Sequence, residues 1–269
     1  MSIKRTKGIL GLIITICMLV SLAPTSVFAA AGDHFDSGNF NYRINSANTG
    51  AVLQGIASGV TLSGEVIVPD TVNHDGKDYP VYALDAAFRS KGTQTANITR
   101  IVLPDNMTTF TNAAHFQGCT NLTSIHLPEQ LSATNGGELA GAFAECYKIN
   151  TIALPAGVTV LGTASTAAFA NSGIKSVIIT GKTAVNMTNA WKAPAGMQVY
   201  YPTGGAAPTG SGFTATAYGA FTDGWVYSVS GTGEDAFVVL RDTVNTGVVT
   251  IPDTLGGVKV GYIKEMCFQ

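Results

Sequence analysis

The sequence predicts a repeat solenoid, mainly β with short helical turns, flanked by two related β-rich cap units. Three observations predict it. A short apolar phrase occurs four times, as Ile98-Thr-Arg-Ile101-Val-Leu103-Pro104, Leu122-Thr-Ser-Ile125-His-Leu127-Pro128, Ile149-Asn-Thr-Ile152-Ala-Leu154-Pro155 and Ile174-Lys-Ser-Val177-Ile-Ile179-Thr180, with starts 24, 27 and 25 residues apart. A second phrase keeps the same beat: Ala87-Phe88, His115-Phe116, Ala142-Phe143 and Ala168-Phe169. The order of segments before the repeats also returns after them. Self-similarity at a period of 20–50 residues marks stacked repeat units.

The first segment, 1–31, reads as an export signal. Lys4, Arg5 and Lys7 precede an almost unbroken apolar run from Ile9 to Val20, and Ala29-Ala30-Ala31 supplies small residues for cleavage. The run is too short and wrongly flanked for a stable membrane anchor, and no second stretch of spanning length follows it. Removing the segment leaves twelve Lys and Arg against seventeen Asp and Glu, a net charge of −5. A mildly acidic chain without basic clusters suits neither nucleic acid nor an anionic membrane.

Residues 32–85 are expected to form an N-terminal β-rich cap. Phe40-Asn-Tyr42-Arg-Ile44 alternates like a strand, and Asp75-Gly76 between Val72 and Tyr79 is a hairpin signal. Residues 86–202 are the array of about four coils. In each phrase the fourth and sixth positions, such as Ile125 and Leu127, alternate with a variable residue. That places Ile125 and Leu127 inward and His126 on the open side of a short strand. The proline that follows has no N–H for a ladder and ends the strand. Ala142-Phe143-Ala144-Glu145 suits a single helical turn with Phe143 in the core. Met197 to Tyr201 reads as the last strand. One coil of about 25 residues loses roughly 1–2 kcal/mol of backbone entropy per residue, more than its few apolar side chains recover alone. Stacking shares the core and removes the deficit.

Residues 203–220 have linker composition at their start, Thr203-Gly-Gly-Ala-Ala-Pro208-Thr-Gly-Ser-Gly212. Residues 221–269 then repeat the cap: Trp225-Val-Tyr227-Ser-Val229, Ile251-Pro252-Asp253-Thr254 and Gly256-Gly257 follow the order of the first unit. This segment is expected to be a second cap-like β unit, or the start of a truncated second array.

The paired phrases resemble the BspA-like leucine-rich repeat family of bacterial secreted and surface proteins. Ala142-Phe143-x-x-Cys146-x-x-Ile149 and His115-Phe116-x-x-Cys119-x-x-Leu122 carry the likeness. It implies a leucine-rich-repeat-like stack and an adhesin or binding protein rather than an enzyme. The coils exceed the usual pattern through Thr134–Glu138 and Gly162–Thr166. Cys119 and Cys146 share one repeat position. Coils about 4.8 Å apart lie within disulfide reach, so both buried thiols and a bridge stay open.

No catalytic or metal motif emerges, and no cofactor is implied. His34, His74, His115 and His126 lack zinc spacing. His74 reads as a solvated turn residue and His115 as a structural one. Asp33, Asp36 and Asn39 lack the ligand order of a calcium loop and read as a frayed terminus. Gly-x-Ser-x-Gly and Walker patterns are absent from the sequence. The candidate ligand face is therefore the variable strand positions: Arg100, Val102, Ser124, His126, Thr151, Ala153, Ser176 and Ile178. The expected function is a secreted or surface-associated interaction protein with a protein or glycan partner. The alternative is a spacer module of a larger exported enzyme or cell-wall protein.

Overall fold

The computed structural model describes residues 30–89, 92–191, 196–218, 220–222, 225–229, 236–241, 253–255 and 258–263. The expected export signal falls almost wholly outside them. No helix among the described residues is long and apolar enough to cross a membrane.

The first strands are β1 (His34–Ser37), β2 (Phe40–Ile44), β3 (Ala51–Ile56), β4 (Ser63–Ile67), β5 (Thr71–His74) and β6 (Lys77–Leu84). β1, β2 and β3 form an antiparallel meander, β6 lies parallel to β3, and β5 closes a hairpin on β6. Asp75 and Gly76 have φ of 50° and 77°, as a two-residue hairpin turn with the strands' own twist requires. Two expectations need correction here. The Asp33–Asn39 string does not fray, because Ser37 pairs with Phe40 across a tight turn and draws it into β1. His74 is no solvated loop residue: it ends β5 and stacks on Phe35 with ring centroids 4.0 Å apart.

The coils follow as β7 (Asn97–Val102), β8 (Thr109–Phe110), β9 (Ser124–His126), β10 (Ser132–Ala133), β11 (Thr151–Leu154), β12 (Gly157–Val158), β13 (Ser176–Ile179), β14 (Met197–Pro202) and β15 (Phe213–Tyr218). They wind around three sides. The first side holds the phrase strands, all parallel: β4-β7-β9 in one sheet and β11-β13-β14-β15 in another. The second side is a row of short rungs, with β6 paired to β8, β10 to β12, and single bridges Val160–Asn186 and Asn186–Thr209. The third side carries the Ala-Phe turns. β4 is the first rung of the phrase side, so the stack begins within the segment assigned to the cap.

Each expected helical turn is one turn and stops there. Ala144 N–H donates to Gly141 O at 3.1 Å and Cys146 N–H to Phe143 O at 3.3 Å. Gly141 and Glu145 bracket this turn with φ of 62° and 61°, which breaks helical propagation on both sides. The long loops also stack rather than project. A side-chain carbon on Gly136 would lie 2.2 Å from Gly162 O, so only glycine lets the two loops approach so closely.

An aromatic spine fills the centre. Ring centroids step from Phe40 to Phe88 at 6.1 Å, Phe116 at 5.8 Å, Phe143 at 5.3 Å, Phe169 at 5.9 Å and Trp191 at 5.2 Å. Phe213 continues it at 6.4 Å. Ala190-Trp191 is thus a further copy of the Ala-Phe phrase, with indole in place of phenyl. Phe40, at the first cap, and Val199, in the last coils, belong to one continuous buried cluster.

Two more corrections concern the end of the stack. β14 is not its last strand, because β15 pairs with β14 in parallel over six residues. The preceding glycine-rich stretch is no free linker either: Ala206 N–H donates to Lys182 O and Met187 N–H to Thr209 O. Its glycines turn the chain sharply enough to close one more coil.

The remaining strands are β16 (Ala220–Thr222), β17 (Trp225–Val229), β18 (Ala236–Arg241), β19 (Thr254–Leu255) and β20 (Val258–Ile263). Their order β16-β17-β18-β20-β19 matches β1-β2-β3-β6-β5 in position and direction. The recurrence read in the sequence is therefore also a recurrence of topology.

Phe143 touches the spine on both sides and is fully buried. Phe143→Ala is expected to destabilise the chain by about 3–5 kcal/mol in denaturant unfolding, whereas Ser165→Ala on an exposed loop stays within about 0.5 kcal/mol.

Candidate strand-face binding site

The parallel register brings the variable positions into two rows. One row runs Glu65, Arg100 and Ser124 on the first sheet, then Thr151, Ser176, Gln198 and Thr214 on the second. The other runs Ile67, Val102 and His126, then Ala153, Ile178, Tyr200 and Thr216. All eight sequence-predicted face residues sit in these rows. Glu65, Ile67, Gln198, Tyr200, Thr214 and Thr216 join them, drawn from strands whose phrases were too degenerate to align.

The rows are less open than expected. Val102, Ser124, Thr151, Ala153 and Ser176 are half-buried. Arg100 lies 3.6 Å from Glu65 on the neighbouring strand, with its side chain only 12% exposed. His126 is nearly buried because Asp105, just past the preceding strand, reaches its Nε2 at 2.7 Å. Ile178 is fully buried. Tyr218, from the end of β15, folds over it with Ala153 and Tyr200 alongside, and donates its hydroxyl to Ile179 O at 2.7 Å. Burial pushes the Tyr218 phenol up to about 12. Ile178 and His126 are thus corrected from open face to covered positions. The coverings come from a later strand and from the preceding coil, which strand alternation cannot register.

No ladder joins β9 to β11, although their coils pair again on the second side through β10 and β12. On the third side Phe143 N–H donates to Ala168 O at 3.0 Å. The two coils are therefore closed on two sides and parted on the phrase side. The parting is a cleft of about 230 Å³. Ile125, Leu127 and Leu154 reach it from the core, Ala153 and Pro155 form its wall, and His126, Glu129 and Thr180 stand at its rim. The split falls at the longest spacing between phrases, 27 residues from Leu122 to Ile149.

His115, Cys119 and Cys146 are structural. His115 is fully buried: its Nδ1 accepts from Ala86 N–H at 3.2 Å, so its Nε2–H donates to Glu138 O at 3.0 Å. Desolvation outweighs the backbone bonds to Asn112 and Glu138, which favour the charged ring, and pulls the imidazole down to about 4. Cys119 and Cys146 are free buried thiols. Each donates to the carbonyl of the Phe one coil earlier, Cys119 to Phe88 at 3.7 Å and Cys146 to Phe116 at 3.1 Å. Burial pushes Cys119 up to about 12 and Cys146 upward as well. Among the described residues, no group of three or more His, Cys, Asp or Glu could hold a metal ion.

Two measurements test these assignments. His115 binds a proton more readily unfolded, near pH 6.5, than folded. Its contribution is therefore complete above about pH 6.5 and falls by up to roughly 3 kcal/mol as pH drops toward 4. His115→Gln should remove that part of the stability profile. Mass mapping after Ellman's reagent at pH 8 should find Cys119 and Cys146 unmodified in the native chain and both modified in guanidinium.

A family match falls on the coils. Residues 89–192 match the family described as BspA type leucine rich repeat region, in six copies. Among solved structures, a leucine-rich repeat protein from Bacteroides capillosus is 24% identical, with 55% of this chain and 99% of that one covered and a TM-score of 0.44. A leucine rich cell surface protein from Faecalibacterium prausnitzii is 16% identical, covering 78% and 62%, with a TM-score of 0.37. A leucine-rich repeat protein from T. pallidum is 18% identical, covering 62% and 71%, with a TM-score of 0.43. No curated protein matches the chain. Residues 89–192, which lie within the parallel coils, therefore carry a BspA-type leucine-rich repeat region.

Proposed function

We propose that the chain is an exported, non-catalytic binding protein that engages a protein or glycan partner through its phrase-strand face. The observation that carries this reading is the register of that face: side chains from seven parallel strands fall into two rows on a rigid core. Such a surface presents many weak contacts in fixed relation, which suits broad recognition rather than bond-making at one point. The segment 1–31 supports export, and a surface or secreted location suits the repeat family. The acidic balance and the paired Arg100 disfavour nucleic acid.

The test is a screen of the purified chain against arrayed matrix proteins, mucins and glycans. A ligand engaging this face should be lost with Thr151→Lys plus Ser176→Lys and kept with Ser165→Lys on the opposite side. Circular dichroism should be the same for all three proteins. Binding that survives the paired lysines but fails with Ser165→Lys would place the contact on the turn side and contradict the reading.

A further inference from the structure

We infer that the cleft between β9 and β11 takes one aliphatic side chain of a protein partner, with a neighbouring Lys or Arg held by Glu129 and Asp105. This rests on the strand-face reading and narrows its partner from protein or glycan to protein.

Size argues first. At about 230 Å³ the cleft is smaller than the roughly 300–1,000 Å³ of sites that enclose small-molecule ligands. It matches a single anchor side chain, the kind of contact that concentrates binding energy at protein interfaces. Spacing argues second. An inserted strand would need β9 and β11 about 9.6 Å apart, two ladder spacings. Their Cα atoms approach within 8 Å, which leaves no room there for an inserted strand.

Chemistry argues third. The wall and floor are Ile125, Leu127, Ala153, Leu154 and Pro155, and Leu154 is fully buried in the core below. A sugar ring lodged there would bury hydroxyls with few partners, at a cost an aliphatic group avoids. The His126 imidazole at the rim is already bonded to Asp105.

Charge argues last. Asp105 and Glu129 are both exposed, Glu129 lines the cleft, and its backbone N–H donates to Asp105 Oδ1 at 3.4 Å, which sets the Asp105 carboxylate beside Glu129 at the rim. Among the described residues, no Lys or Arg lines the cleft. The complement is an aliphatic residue beside a basic one.

The test uses methyl-labelled full chain titrated with N-acetyl-leucyl-arginine amide. Controls are the leucyl-glutamate and glycyl-arginine amides and N-acetylglucosamine. The leucyl-arginine probe should shift the Ile125, Ala153 and Leu154 methyl signals and bind about fivefold or more tightly than either control dipeptide, the effect of one rim charge or one anchor. Glu129→Lys, an exposed change that leaves the core intact, should reverse the preference between arginine and glutamate probes. Equal binding of both charged probes, or no shift at these methyls, overturns the inference. Shifts at these methyls with N-acetylglucosamine would make the cleft a sugar site and overturn it as well. A face ligand lost with Thr151→Lys plus Ser176→Lys but indifferent to Glu129→Lys overturns the cleft alone and leaves the strand-face reading standing.

Discussion

Everything in this molecule depends on the stacking of aromatic rings along one axis. Each coil brings too few apolar side chains to order itself, and each ring covers the ring before it. Phe88, Phe116, Phe143 and Phe169 sit at successive Ala-Phe turns with centroids 5.3–5.9 Å apart. Phe40 carries the stack into the first cap and Trp191 carries it past the fourth phrase. The backbone follows this constraint. Positive-φ residues bracket the turn that places Phe143, and the cysteine thiols tie successive coils by donating to Phe carbonyls.

A rigid spine on one side allows irregularity on the other. Because the rungs and turns hold the coils of β9 and β11 together, the phrase side can part there without loss of the stack. The buried histidine and cysteines are held inside the stack by carbonyl hydrogen bonds and are chemically quiet. Titratable groups inside the stack serve packing. Asp105 and Glu129, beside the parting, face solvent.

Most of the stack was legible in the sequence because its core positions recur. Ile101, Ile125, Ile152 and Val177 announce the strands, and the Ala-Phe pairs announce the turns. What escaped was hidden by substitution or by distance. Trp191 does the work of a phenylalanine, so the spine extends further than a search for Phe reveals. β15 is a run of Thr and Ala after a glycine-rich turn, with little apolar pattern to mark it. The cover on Ile178 comes from Tyr218, forty residues away, and the partner of His126 comes from Asp105 in the preceding coil. Strand alternation decides which face a side chain leaves from and says nothing of what later folds over it. The parted sheet left only one trace, the long spacing between the second and third phrases.

The central claim is that one aromatic spine makes the first cap and the coils a single cooperative unit. Native-state hydrogen exchange on Phe143→Ala tests it most directly. Amides that exchange only on global unfolding, in β2 around Tyr42 and in β13 around Val177, should lose protection by the same factor, on the order of a hundredfold or more for a core truncation of this size. Undiminished protection at Tyr42 with loss confined to the coils around Phe143 would show separately melting units and contradict the account.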